Sequence, residues 1–351
     1  MAPNTPPRWR QVRRTLTALA AIGAAALLGL RAATPEVPPP EPAFVPPPSL
    51  AVLEARLAAT EARFADLRTD AARTVVWADP VRRHRTPVAL VYLHGFSASR
   101  QEIAPAAELA AAALGANLYY ARIPGHGRSS DAMAESSLPG WQAEGESAVA
   151  VGRLLGEQVV LIGTSTGGTL VTWLAARYPD LAGAVLVSPN FGVREVAAPL
   201  AALPGGQALV RLVVGPYRQF RTHSALHARH WTWRYSTMAI PPMMQLVRAS
   251  ANLDLGAIRV PLLAFYSPTD TVVRPDAIEA AVGRWGTDRK RLLAIATDDP
   301  SRHILAGDAL SPATTSTVVA GIVAFVRGLP RPAPAPTAAA AQARPSRARR
   351  S

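Results

Sequence analysis

The segment Val159 to Asp180 reads VVLIGTSTGGTLVTWLAARYPD and sets one serine, Ser165, between Gly163 and Gly167. Val159 to Ile162 is a run of β-formers, and Thr169 to Tyr178 continues apolar at helical spacing until Pro179. The segment therefore predicts strand, sharp turn and helix. A G-x-S-x-G turn of this kind presents a serine on a strained backbone, and its glycines remove side chains where strand and helix must close on each other. A phosphate-binding loop would need a Lys-Ser/Thr pair after its last glycine, and Gly168-Thr169-Leu170 has no lysine. The chemistry left to this turn is nucleophilic attack. Serine is a weak nucleophile at neutral pH, so a base and an orienting carboxylate must come from elsewhere in the chain. Asp270, in Ser267-Pro268-Thr269-Asp270, and His303, in DDPSRHIL, are the candidates, with Asp298 and Asp299 competing for the acid role.

Positioning three such distant residues requires strands. Candidates are Thr74 to Trp77, Pro87 to Leu93, Asn117 to Tyr120, Val159 to Gly163, Ala184 to Ser188, Pro261 to Tyr266 and Arg291 to Ala296. Helical patterns fall between them at Ala104 to Ala113, Trp141 to Leu155 and after the serine, and a last one spans Pro312 to Arg327. This alternation predicts an α/β fold with a mostly parallel central sheet flanked by helices. Ser165, Asp270 and His303 each lie just past a strand, and in an open parallel sheet those ends face one crevice. Asn190 to Leu255 interrupts the alternation with no clear strand, which predicts a helical cap over the strand ends. Its aromatic residues and Met238, Met243 and Met244 would line an acyl pocket or form the cap's own small core.

A third requirement of acyl chemistry is an oxyanion hole. Leu93-His94-Gly95-Phe96 follows a predicted strand, where the Phe96 N–H is one candidate donor, and the N–H of Thr166 directly after the serine is the other. Together YLHGFSAS, RIPGHGRSS, GTSTGG, Asp270 and His303 resemble the α/β-hydrolase superfamily, nearest its esterase, monoglyceride-lipase and lysophospholipase-like members, over roughly Thr74 to Arg327. The resemblance implies Ser165 as nucleophile, His303 as base, Asp270 as its acid, and Phe96 and Thr166 as oxyanion donors. His94 and Gly95 would support the oxyanion loop, PGHGRS would lie near the site mouth, and no cofactor or metal is implied. Thr164 and Thr166 depart from the bulkier or charged residues that many relatives carry beside the serine. The expected activity is cleavage of a carboxylic ester through an acyl-enzyme. Acyl transfer, serine aminopeptidase activity, or a non-catalytic binding protein on the same scaffold stand as alternatives.

The formal net charge is +13. Arg8, Arg10, Arg13, Arg14 and Arg31 lie in the first 31 residues, and Arg331, Arg344, Arg347, Arg349 and Arg350 lie in the tail, with no acid in either stretch. Subtracting those ten leaves about +3 for the middle, which argues against a nucleic-acid-binding core. Residues 1–33 read as a signal peptide or membrane anchor, from an arginine-rich start and the apolar run Thr15 to Leu30. Residues 34–48 read as a proline-rich linker, 49–330 as the hydrolase domain with its cap at about 190–255, and 331–351 as a disordered Ala/Pro/Arg tail. The expected location is the cell envelope, exported to the periplasm or anchored in the inner membrane. The expected partner is a small-molecule or lipid-like acyl ester, with membrane association through the N-terminal segment and no nucleic acid. Ser49 to Arg73 carries Leu50, Leu53, Leu57, Phe64 and Leu67 at helical spacing and predicts an amphipathic helix. The chain has no cysteine, which excludes disulfides, thiol catalysis and cysteine metal sites. His94 and His126 read as loop residues rather than metal ligands; His223, His227 and His230 read as a solvated basic helix face, and Glu102 as a surface or loop-bracing group.

Overall fold

A computed structural model of the chain describes residues 38–195 and 197–330, with isolated residues between 9 and 21. The expectations for residues 1–33 and for the tail after Pro330 fall on, or almost wholly on, residues outside the described ones. Among the described residues, no helix is long and apolar enough to cross a membrane.

Nine strands and nine α-helices follow one another among the described residues. The strands are β1 (Thr74–Val76), β2 (Thr86–Leu93), β3 (Asn117–Tyr120), β4 (Gly156–Thr164), β5 (Gly183–Val187), β6 (Tyr217–Gln219), β7 (Arg234–Ser236), β8 (Leu262–Tyr266) and β9 (Lys290–Ala294). The helices are α1 (Leu53–Glu61), α2 (Ala106–Leu114), α3 (Leu138–Leu155), α4 (Thr166–Arg177), α5 (Gly206–Val214), α6 (Ala225–His230), α7 (Ile240–Ala251), α8 (Pro275–Arg284) and α9 (Pro312–Arg327). Seven strands form one sheet in the order β1-β3-β2-β4-β5-β8-β9, parallel throughout except for β1, which runs antiparallel to β3. The central strands bury both faces, as the runs VALVYL and VVLIGT require, and separate two apolar clusters. One side holds Trp141, Leu170 and Trp285, and the other holds Ile103, Phe265 and Ile322. This is the α/β layering expected from the sequence, with β3 at its expected bounds and the other strands of the sheet shifted by at most three residues at either end.

Three expectations are corrected. The helix expected over Ser49 to Arg73 stops at Glu61, because that carboxylate turns inward to bind Arg73 and Arg122. Phe64 then lies beneath two guanidinium groups, 4.8 Å from Arg122 and 4.4 Å from Arg128. The proline-rich segment is not a free spacer from residue 38 onward. Phe44 is buried in the core, its N–H donates to Glu144 Oε2 at 2.9 Å, and buried Glu41 pairs with Arg122 and Arg128. Buried arginines need carboxylates, and this strap and α1 bring two of them. Finally, the cap is not purely helical: β6 and β7 form a small antiparallel hairpin between α5 and α7.

Because Phe44 fills the main core from outside the sheet, Phe44→Ala should lower the unfolding free energy by about 3–5 kcal/mol in denaturant titrations. A change within a few tenths would show the strap to be dispensable.

Candidate active site

β4 ends at Thr164 and α4 begins at Thr166, leaving Ser165 alone in the turn with φ 51° and ψ −117°. A non-glycine residue in this region is strained and must be held by its neighbours. Its N–H donates to Val187 O at 2.8 Å, and its carbonyl accepts from Asn190 N at 3.0 Å and Thr169 N at 3.1 Å. The flanking glycines are there for contact: a Cβ on Gly163 would meet Gly167 O at 2.5 Å, and one on Gly167 would meet Leu93 O at 2.0 Å. The start of α4 is thereby pressed against the end of β2 and the Leu93-His94-Gly95-Phe96 loop. Among the described residues, neither the Phe96 N–H nor the Thr166 N–H donates to a protein acceptor.

That loop is fixed from two sides. His94 bonds the Gly95 carbonyl through Nδ1 at 2.9 Å and accepts from Ile123 N through Nε2 at 3.1 Å. An acceptor at Nε2 requires the neutral ring, and burial holds its pKa well below the ordinary value. The same contact ties the oxyanion loop to the PGHG turn, where His126 lies 5.1 Å from His94 by ring centroids and has its pKa lowered by burial to about 4. From the other side, Glu102 Oε2 accepts from Gly95 N at 2.7 Å and from the Tyr92 hydroxyl at 2.8 Å. Burial raises the Glu102 pKa to about 7 against the pull of those two bonds.

Asp270 follows β8 and His303 follows β9. His303 Nδ1 lies 2.7 Å from Asp270 Oδ2, and Asp270 Oδ1 accepts from the amides of Val272 and Val273. Nδ1 is thus the protonated nitrogen, leaving Nε2 as the basic one. Burial disfavours the His303 imidazolium, but the charge and hydrogen bond of Asp270 outweigh it and raise the pKa. Asp299 instead accepts from the amides of Ser301, His303 and Ile304, so it shapes the loop and leaves the imidazole to Asp270. Ser188, at the end of β5, donates from its hydroxyl to His303 O at 2.7 Å, anchoring the loop beside the strand that holds Ser165 N. Among the described residues the Ser165 hydroxyl makes no hydrogen bond with His303, so the structure joins Asp270 to His303 directly and Ser165 to them through the end of β5 and through the Asn190–Arg194 segment, whose Arg194 donates to Asp270 O.

The cap packs against the Leu93–Phe96 loop. Tyr235 packs edge-on to Phe96 at 5.1 Å, and Thr232 N–H donates to Ser97 O. Met244, Ile240 and Val210 form a small cluster with Tyr235, against which Phe96 and Met243 pack, so the cap's apolar residues serve its own core and the oxyanion loop together. His227 and His230 are buried rather than solvated: His227 stacks on Phe220, and burial lowers its pKa to about 4. Among the described residues, no cluster of His, Asp and Glu could hold a metal ion. Glu102, read from the sequence as a surface or loop-bracing group, is buried and braces the loop, whereas Ser188, Tyr92 and Thr164 were not legible beforehand as site supports, since nothing in their spacing marks them.

These features define an α/β-hydrolase, an enzyme class. Residues 85–303 match the family described as serine aminopeptidase, S33, and the chain belongs to that family. It is 27% identical over 200 residues to the thermostable monoacylglycerol lipase of Bacillus sp. (strain H-257), covering 56% of this chain and 76% of that one. Among solved structures it resembles a metagenome-derived lipolytic enzyme at a TM-score of 0.62 and 20% identity, covering 74% of this chain and 99% of that one. A soluble variant of the Saccharomyces cerevisiae monoglyceride lipase matches at a TM-score of 0.58 and 13% identity, covering 73% and 90%.

Glu102 gives a signed pH dependence. Its folded pKa of about 7 lies above the ordinary glutamate value of 4.5, so the folded state holds the proton more tightly. Stability contributed by this group is present below pH 4.5 and lost as pH rises through about 7, a swing of order 3 kcal/mol. Wild type should lose stability relative to Glu102→Gln across that window in denaturant titrations; parallel pH curves would contradict the assignment.

Proposed function

We propose that the protein hydrolyses a carboxylic ester of a lipid-like acyl group, with Ser165 as nucleophile. In this reading His303 Nε2 takes the serine proton and returns it to the leaving alcohol. Asp270 orients the ring and stabilises the imidazolium, and the amides of Phe96 and Thr166 receive the tetrahedral oxyanion. Water then attacks the acyl-enzyme with His303 again as base, releasing the acid. The observation that carries the reading is the Asp270–His303 pair at 2.7 Å, anchored through the end of β5 to a strained serine, together with the unused amides of Phe96 and Thr166. The family description also fits a serine aminopeptidase. Against that, the sequence has no Asp or Glu between residues 196 and 253, so the body of the cap lacks a carboxylate to receive a free amino terminus. The monoacylglycerol lipase similarity favours a glycerol or similar alcohol as leaving group.

Full-length protein should be labelled by a serine-reactive fluorophosphonate, with labelling abolished in Ser165→Ala and His303→Ala. It should cleave monoacylglycerols and short soluble esters faster than amino-terminal peptide amides. Labelling that survives Ser165→Ala, or a preference for peptides, would refute the ester reading. The rate against a soluble ester should rise with pH through an imidazole pKa above 6.5. Asp270→Asn should lower kcat about 10⁴-fold by allowing the wrong tautomer.

A further inference from the structure

The cap carries a surface that the catalytic reading does not use. α5 turns Gly206 and Val210 inward and leaves Leu209, Leu212 and Val213, at i, i+3 and i+4, exposed on its outer side. Leu212 and Val213 are 70% and 73% exposed, far beyond what scattered surface apolar residues require. Leu200 and Leu203 are exposed immediately before the helix. Only Gly215 and Pro216 separate α5 from the β6–β7 hairpin, which carries exposed Arg218, Arg234 and Trp233, with Arg221 just past β6. Arg234 lies 3.7 Å over the Tyr217 ring, and the Tyr217 hydroxyl takes up Asp131. From residue 196 to 253 the sequence contains six arginines and no Asp or Glu. Arg229 is paired with Asp70, but among the described residues Arg211, Arg218 and Arg221 have no carboxylate partner.

An apolar helix face continuous with unpaired cations and an exposed tryptophan fits an interface that is hydrocarbon on one side and anionic on the other. We propose that α5 and the β6–β7 hairpin dock this protein on an anionic lipid bilayer. Leu209, Leu212 and Val213 enter the acyl boundary, Trp233 sits at the headgroup level, and Arg218, Arg221 and Arg234 meet lipid phosphates. A second copy of the chain is disfavoured as occupant, because a two-fold interface would set Arg218, Arg221 and Arg234, with Asp131 as the one carboxylate described beside them, against the same cations of the other copy. The docking surface belongs to the lobe whose Tyr235 and Thr232 touch the oxyanion loop, so the bound membrane would lie on the side from which lipid esters reach Ser165.

The absence of cysteine allows one reporter per molecule in the full chain. A polarity-sensitive fluorophore on Leu212→Cys should shift to the blue, and be quenched by acyl-chain quenchers, with vesicles of phosphatidylcholine plus phosphatidylglycerol. With phosphatidylcholine alone it should not respond. The same dye on Val81→Cys, 90% exposed ahead of β2, should stay unchanged in both. Arg218→Gln and Arg221→Gln should each weaken the vesicle partition of the Leu212 reporter about fivefold, and added salt should reverse it. Both variants should keep wild-type hydrolysis of a soluble short ester, which reads the catalytic site independently of docking. A reporter already buried before lipid is added would mean that another segment of the chain or a second copy covers the face. That result, an equal response to neutral vesicles, no response, or indifference to the two arginine changes would each overturn the proposal. Failure to hydrolyse esters with docking intact would overturn only the catalytic reading.

Discussion

The start of α4 rests against the backbone of β2 so closely that no side chain fits between them. A Cβ at position 167 would sit 2.0 Å from Leu93 O and 2.6 Å from His94 O. This single approach decides where the serine, the amide after it and the Leu93–Phe96 loop lie relative to one another. Strain at Ser165 is its consequence, since the chain must leave β4 and enter α4 within one residue. The sheet supplies the restoring framework: β4 pairs with β2 on one side and β5 on the other, and Val187 O at the end of β5 holds the serine amide.

Around that approach, polar groups divide by whether they are charged. Neutral His94 and His126 sit at the Leu93–Phe96 loop, where burial disfavours their charged form. Glu102 is kept near the balance point by two donors it cannot abandon without orphaning the Gly95 amide. His303 lies on the other side of the balance, because its carboxylate partner outweighs burial. The support behind the site is ionic instead. Arg73 is held by Glu61 and Glu144, and Arg122 by Glu41 and Glu61, with both guanidinium groups fully buried. Such pairs gain little over an apolar core when complete but are costly to break, so they fix geometry more than they add stability.

Much of this was legible in the sequence where a local rule and the tertiary structure agree. The elbow announces itself because the same glycines satisfy turn chemistry and close packing, and Pro312 to Arg327 is bounded at both ends as its pattern requires. The strands of the central sheet could be read as apolar runs, since their burial on both faces leaves little room for polar residues. Phe64 and Leu67 misled for the opposite reason: their helical spacing continues past Glu61, but the ion pairs of Glu61 stop the helix. His227 and His230 misled in the same way, since spacing alone does not say which face of a six-residue helix turns inward, while His223, ahead of that helix, is exposed as expected. Glu41 and Phe44, in a stretch dominated by proline, carried no periodicity at all; only the distant Arg122 and Glu144 give them a place.

The strap also sets how the folded unit is joined to whatever precedes it. Its last fixed points are Glu41, whose N–H donates to Glu135 O and whose carboxylate accepts from the Gly125 amide, and Phe44 beneath α3. Tension along the N-terminal chain is therefore delivered to the PGHG turn and to two buried ion pairs, not to the edge of the sheet. A pull on the strap would reach the same turn that braces His94, through the Ile123 amide and the His126 ring that packs on His94.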